Sequence, residues 1–126
     1  KIYGYRNRFA ANSIVYHAGS AASGSRYNTF KTKLASRNSV YLIYKNMPVL
    51  QIVLNLPLLV MGFLIKTVFF ARKGMGREYV SGLVRGIRLS ASPCGRRHKL
   101  YFDRHRMKNY VSIQFELWRN LFRLFA

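Results

Sequence analysis

Few side chains in this chain could do chemistry, and they are unevenly placed. His17 closes an apolar run, and a loop of small residues follows it, with Gly19, Ser20, Ser23 and Ser25 among them. Further along, Arg37 and Asn38 stand side by side. The acids are only Glu78, Asp103 and Glu116, no two of them close in sequence, which excludes paired-carboxylate chemistry and a hard-cation site built from this chain alone. The loop superficially matches a phosphate cradle, G-x-x-x-x-G-K-[ST], but Ser25 and Arg26 stand where lysine and Ser/Thr are needed. A plain turn into a helix explains it equally, and so does a stretch of small residues that lets backbone approach a ligand or lid. A strand-end histidine is by default a packed or surface residue. Cys94, His98 and His105 match no zinc spacing, and Arg96, Arg97, Arg104 and Arg106 would repel a cation there.

Composition narrows the partners. Among 126 residues, 22 Lys and Arg face 3 acids, for a formal net charge of +19. That imbalance asks for a polyanion, either nucleic acid or an acidic membrane leaflet. Half the residues are hydrophobic and 15% aromatic, too apolar for a disordered basic tail. The single cysteine, Cys94, excludes an internal disulfide.

The elements that must carry these residues follow from periodicity. Arg8–Ala10 and Ser13–His17 read as short β segments with Asn12 at the turn between them. From Arg26 to Asn46, Tyr27, Phe30, Leu34, Tyr41 and Tyr44 share one helical stripe, and Arg37 lies on it. An inward-facing arginine requires an anion or a carboxylate, unless its head snorkels to an interface. Met47 to Ile65 holds no charge, and its apolar character runs on past Lys66 to Ala71. Its length suits a bilayer, but Gln51, Asn55 and Pro57 interrupt it. Eight Lys/Arg precede the segment and fourteen lie within or after it, so neither flank is poor in basic residues, as a single span would require. A bent, re-entrant or interface-lying hairpin fits better. Glu78 to Ala91 predicts a basic amphipathic helix, with Arg77, Ser81, Arg85 and Arg88 opposite Tyr79, Val80, Leu83, Val84 and Ile87. Tyr110 to Phe125 predicts another, carrying Val111, Phe115, Trp118, Phe122 and Phe125, with Arg119 and Arg123 near Trp118. Pro57, Lys66, Arg72, Lys73, Arg85, Arg88, Trp118 and Arg119 are therefore the expected membrane contacts.

The stretch "YGYRNRFAANSIVYHAGSAASGSRYNTFKTKLASRNSVYLIYKNMP" resembles the C-terminal end of the catalytic domain of bacterial family 2 glycosyltransferases, in particular the rhamnosyltransferase-like, membrane-associated enzymes of cell-surface polysaccharide synthesis. The features that carry the likeness are the strand ending in His17, the serine-bearing loop, Arg37-Asn38 and "YKNMP". The basic tail is similar to theirs as well. The resemblance implies the end of a GT-A α/β domain and a parent enzyme using a nucleotide-sugar donor with a Mg or Mn ion. It implies that His17 lies near the donor diphosphate and completes the metal site, that Gly19–Ser25 is a mobile element over donor or acceptor, and that Arg37 and Asn38 close the site or pair with the diphosphate. The family's Asp-x-Asp motif and catalytic base have no counterpart here, so this chain alone is expected to be inactive.

The expectation is a mainly α chain with a short N-terminal β remnant: residues 1–46 as the end of a catalytic domain, 47–73 as a membrane-inserted or re-entrant segment, and 74–126 as a basic amphipathic tail. The tail would hold a nucleotide-sugar- and glycan-binding enzyme on acidic phospholipid at the cytoplasmic face of a bacterial membrane. The rivals are a ribosomal-like nucleic-acid-binding protein, suggested by a pI near 11.0, and a small membrane protein without enzymatic role. The uncharged run Met47–Ile65 counts against the first.

Overall fold

Helix boundaries follow from caps and prolines written into the sequence. The computed structural model describes residues 2–5, 8–14, 25 and 27–123. Helix α1 (Thr29–Asn46) starts where Asn28 Oδ1 accepts the Lys31 N–H at 2.8 Å, and it stops before Pro48, whose ring disfavours helical backbone in Met47. Helix α2 (Val49–Leu54) is interrupted at Asn55, and α3 (Leu56–Arg72) begins with Pro57 in its first turn, where a missing N–H costs nothing. Helix α3 ends in a Schellman turn: Gly74 takes a φ of 73°, and Met75 N–H reaches Phe70 O at 2.8 Å. Helix α4 (Gly76–Ala91) passes into the short α5 (Pro93–Arg97), capped by Ser92 Oγ on the Gly95 N–H. A 3₁₀ turn at Arg104–Arg106, capped by Asp103, leads into α6 (Met107–Phe122).

Contacts group the chain into two units, Ala18–Tyr101 in one and Lys1–His17 with Phe102–Ala126 in the other. Within the first of these, α1 packs chiefly on α4. These two helices run parallel, with Gly82 against the Lys33 carbonyl and Ser36, and Gly86 against the Arg37 carbonyl and Val40. Such a small-residue seam lets backbones touch as they do in membrane bundles. Past α5, Leu100 N–H bonds Lys45 O at 2.8 Å, and Lys99 Nζ donates to Tyr44 O at 2.8 Å while lying 4.0 Å from the Tyr44 ring centre. The cation meets the exposed carbonyl end of α1, where the helix dipole favours it, and burial pulls its pKa below the ordinary lysine value.

Two sequence expectations are corrected. The described residues are mainly helical and contain no strand. Residues 8–10 and 13–14 are irregular, although the turn around Asn12 is present and closes with Ser13 N–H on Ala10 O at 3.1 Å. The remainder of the expected strand Ser13–His17 lies outside the described residues. Two short strands without a sheet to join have too little to bury, which is the physical reason the turn forms alone. The aromatic stripe of α1 is likewise not its inward face. Thr32 and Ser36 are buried, whereas Phe30 is 68% exposed. The glycines of α4 admit only small partners, so the packed side is the polar one.

A candidate membrane interface

Inside and outside are exchanged along much of this chain. The buried polar side chains are Thr32, Ser36, Gln51, Asn55, Ser90 and Gln114, whereas the buried large hydrophobics among the described residues are only Tyr79 and Tyr110. In α2–α3 the two buried residues are Gln51 and Asn55, joined by Asn55 Nδ2 donating to Gln51 O at 2.7 Å, and α3 buries nothing. Val49, Leu50, Leu56, Leu64, Ile65 and Val68 face outward instead, with Leu64 and Ile65 60% and 63% exposed. A helix apolar all round belongs in a large core or in lipid. None of the helices among the described residues is long and apolar enough to cross a membrane. The apolar segment breaks at Asn55, between two shorter helices.

The expected membrane contacts are all exposed. In the unit Ala18–Tyr101 these are Pro57, Lys66, Arg72, Lys73, Arg85 and Arg88. Lys73 Nζ sits 4.9 Å from the Tyr27 ring centre and 5.2 Å from that of Phe69, at the end of the apolar helix, where a cation would meet headgroups. In the other unit, Trp118 and Arg119 are exposed on α6, where Phe115 is 63% exposed and packs edge-to-face on Trp118 at 6.1 Å. The buried side of α6 is Tyr110 and Gln114, with Tyr110 stacked on Phe102 at 5.1 Å. The apolar stripe recognised in the sequence is therefore bare along Val111, Phe115 and Trp118.

Of the residues expected at a donor or acceptor site, His17, Gly19, Ser20 and Ser23 lie outside the described residues. Ser25 Oγ donates to Tyr27 O, and Ser25 O accepts from Lys31 Nζ at 2.9 Å, so Ser25 serves the entry to α1. Arg37 lies eight residues beyond Thr29, about 12 Å of helix rise, and its Nε and Nη2 both donate to Asn38 Oδ1, at 3.1 and 3.0 Å. Ser25 and Arg37 are therefore not brought together.

No family model matches the chain, and no curated protein or solved structure is similar to it.

Among the described residues no group of three His, Cys, Asp or Glu could hold the divalent ion that the glycosyltransferase resemblance implies, so nothing here is routed through one. What the helices do assemble is positive charge. Phe30, Lys33, Leu34 and Arg37 of α1 and Arg85 of α4 line a groove of about 140 Å³. Lys33 and the seam Gly82-x-x-x-Gly86-x-x-x-Ser90 are contributions that composition and amphipathicity did not single out. The spacing of the small residues was visible, but it falls between the apolar and basic faces on which an amphipathic reading concentrates.

Proposed function

We propose that this chain is a membrane-surface module, bound by the apolar helices α2 and α3 and by the basic side chains of α4 and α6. The observation that carries the proposal is α3: a 17-residue apolar helix with no buried residue, in a chain of net charge +19. In water much of that helix's apolar surface stays bare, since its packing on the rest of the chain is confined to one side, with Phe70 on Tyr79 and Phe69 on Tyr27, whereas most helical stability comes from packing an apolar face. In the headgroup and acyl boundary of a bilayer its outward side chains are buried, and each nearby Lys or Arg adds about 1 kcal/mol on an acidic leaflet. The polar side chains turned inward then bond backbone carbonyls away from lipid, as Asn55 Nδ2 does with Gln51 O and Ser90 Oγ with Gly86 O.

The module serves, on this proposal, as the membrane-bound tail of a family 2 glycosyltransferase-like enzyme that moves a sugar from a nucleotide donor to a glycan or lipid-linked acceptor at the cytoplasmic face. The support for that part is the residue pattern from Tyr3 to Pro48 described above. Flotation of the chain with phosphatidylglycerol-containing vesicles tests the attachment. It is expected to float with them and to keep floating when RNA is added; capture by RNA, with no vesicle-bound fraction, overturns it. For the enzyme part, membranes carrying the full reading frame should incorporate sugar from a nucleotide donor, and a His17→Ala variant should lose that incorporation.

A further inference from the structure

The groove between α1 and α4 gathers three cations with no acid among them. Lys33 and Arg37 are one turn apart on α1, and Arg85 meets them because Gly82 and Gly86, on either side of it, lie against the Lys33 and Arg37 carbonyls. None of the three has an acidic partner among the described residues. The unit's one carboxylate, Glu78, sits in the first turn of α4, two turns before Arg85, and does not line the groove. Like charges converging on one groove repel, and an anion between them turns that cost into attraction. Arg37 is also held in place. Its Nε and Nη2 are spent on Asn38 Oδ1, which leaves Nη1 and the second N–H of Nη2 as a free two-donor edge. A forked donor edge with two further cations matches the oxygens of a phosphate group better than a single carboxylate. Phe30 and Leu34 give the same groove an apolar side.

We propose that Lys33, Arg37 and Arg85 form a binding site for the phosphate of an anionic lipid headgroup, with Phe30 and Leu34 against its glycerol and acyl portion. The site rests on the membrane reading for its source of phosphate. It gives Arg37 a different occupant from the donor diphosphate that the family resemblance implies. It also places the α1–α4 seam at headgroup depth, so a specific lipid rather than surface charge alone orients the unit.

The test is charge-conserving. Arg37→Lys with Arg85→Lys keeps the net charge but removes both forks. Flotation of wild type and variant is compared on phosphatidylcholine vesicles carrying either phosphatidic acid or oleate at matched surface charge. About tenfold weaker binding of the variant to phosphatidic acid vesicles, with unchanged binding to oleate vesicles, is expected. Lys33→Gln should show the same selectivity on a smaller scale. Soluble glycerol phosphate separates the sources: a competitor that releases wild type from phosphatidic acid vesicles assigns recognition to the phosphate alone, and one that does not assigns it to the headgroup in the membrane. Equal binding of wild type and variant to both vesicles overturns the site while leaving membrane attachment intact. Wild type that floats with neither vesicle overturns the membrane reading itself.

Discussion

Gly82 and Gly62 illustrate how identical residues act in opposite senses. A Cβ on Gly82 would overlap Ser36 Oγ and the Lys33 carbonyl, whereas one on Gly62, in mid-α3, meets nothing within 4 Å. Gly82→Ala should therefore force α1 and α4 apart and cost about 2–3 kcal/mol, as overpacking does. Gly62→Ala should stabilise by about 1 kcal/mol through helix propensity. Thermal unfolding of both variants in detergent micelles, followed by circular dichroism, reads the two signs. Tyr79 offers a second residue-scale case. Its ring stacks on Phe70 at 4.9 Å, its hydroxyl has no hydrogen-bond partner among the described residues, and burial pushes its pKa up. Tyr79→Phe should raise stability by about 1 kcal/mol by removing an unsatisfied buried donor. It should also flatten the loss of stability that the wild type shows above about pH 10, where the unfolded chain ionises this phenol before the folded one does.

At the scale of elements, α3 and the start of α6 make separate claims. Leu64 and Ile65 are exposed, so Leu64→Gln with Ile65→Gln, which adds no charge, leaves the fold unchanged. If α3 lies in lipid, the pair forfeits about 2 kcal/mol of apolar burial each, roughly a thousandfold in vesicle affinity. A variant that floats like the wild type would show that α3 meets something other than lipid. The turn before α6 depends on Asp103, whose Oδ2 accepts from Arg106 Nε at 2.8 Å and whose Oδ1 accepts from the His105 N–H at 3.0 Å. The Arg106 hydrogen bond, helped by the His105 N–H, holds the Asp103 carboxyl below the ordinary carboxylate range. Its stabilising effect is complete above about pH 4 and fades as pH falls through the depressed value. The carboxyl carbon-13 shift should report that low midpoint, and Asp103→Asn should remove the step in the melting of α6. Arg106 also lies 4.1 Å from the Tyr3 ring centre, and Asn109 Nδ2 donates to Ile2 O at 2.9 Å, so the step should extend to the N-terminal residues.

For the whole molecule the charge predicts a salt response. At about 1 M salt the Debye length shrinks to about 3 Å, so the contribution of the basic side chains to vesicle binding should disappear. The apolar contribution of α2 and α3 is unscreened, and a residual bound fraction should persist in flotation. Complete release would mean that charge alone holds the chain, as for a nucleic-acid-type surface.

The helices were largely legible in the sequence because their signals are local: the three-and-four spacing from Arg26 to Asn46, the amphipathic pattern from Glu78 to Ala91, and the uncharged run from Met47 to Ile65 interrupted near Asn55 and Pro57. Charge and composition likewise determined the need for an anionic partner, since neither depends on how the chain is folded. Which face of each helix is packed was not legible. Periodicity marks where apolar residues lie, and the usual assumption that they point inward places Phe30 in a core and leaves Ser36 outside. Only the tertiary structure decided otherwise, through Gly82 and Gly86, because the backbone separation they permit is a property of two helices together. That same approach brought Arg85 to Lys33 and Arg37, a meeting of residues distant in sequence that no local pattern encodes.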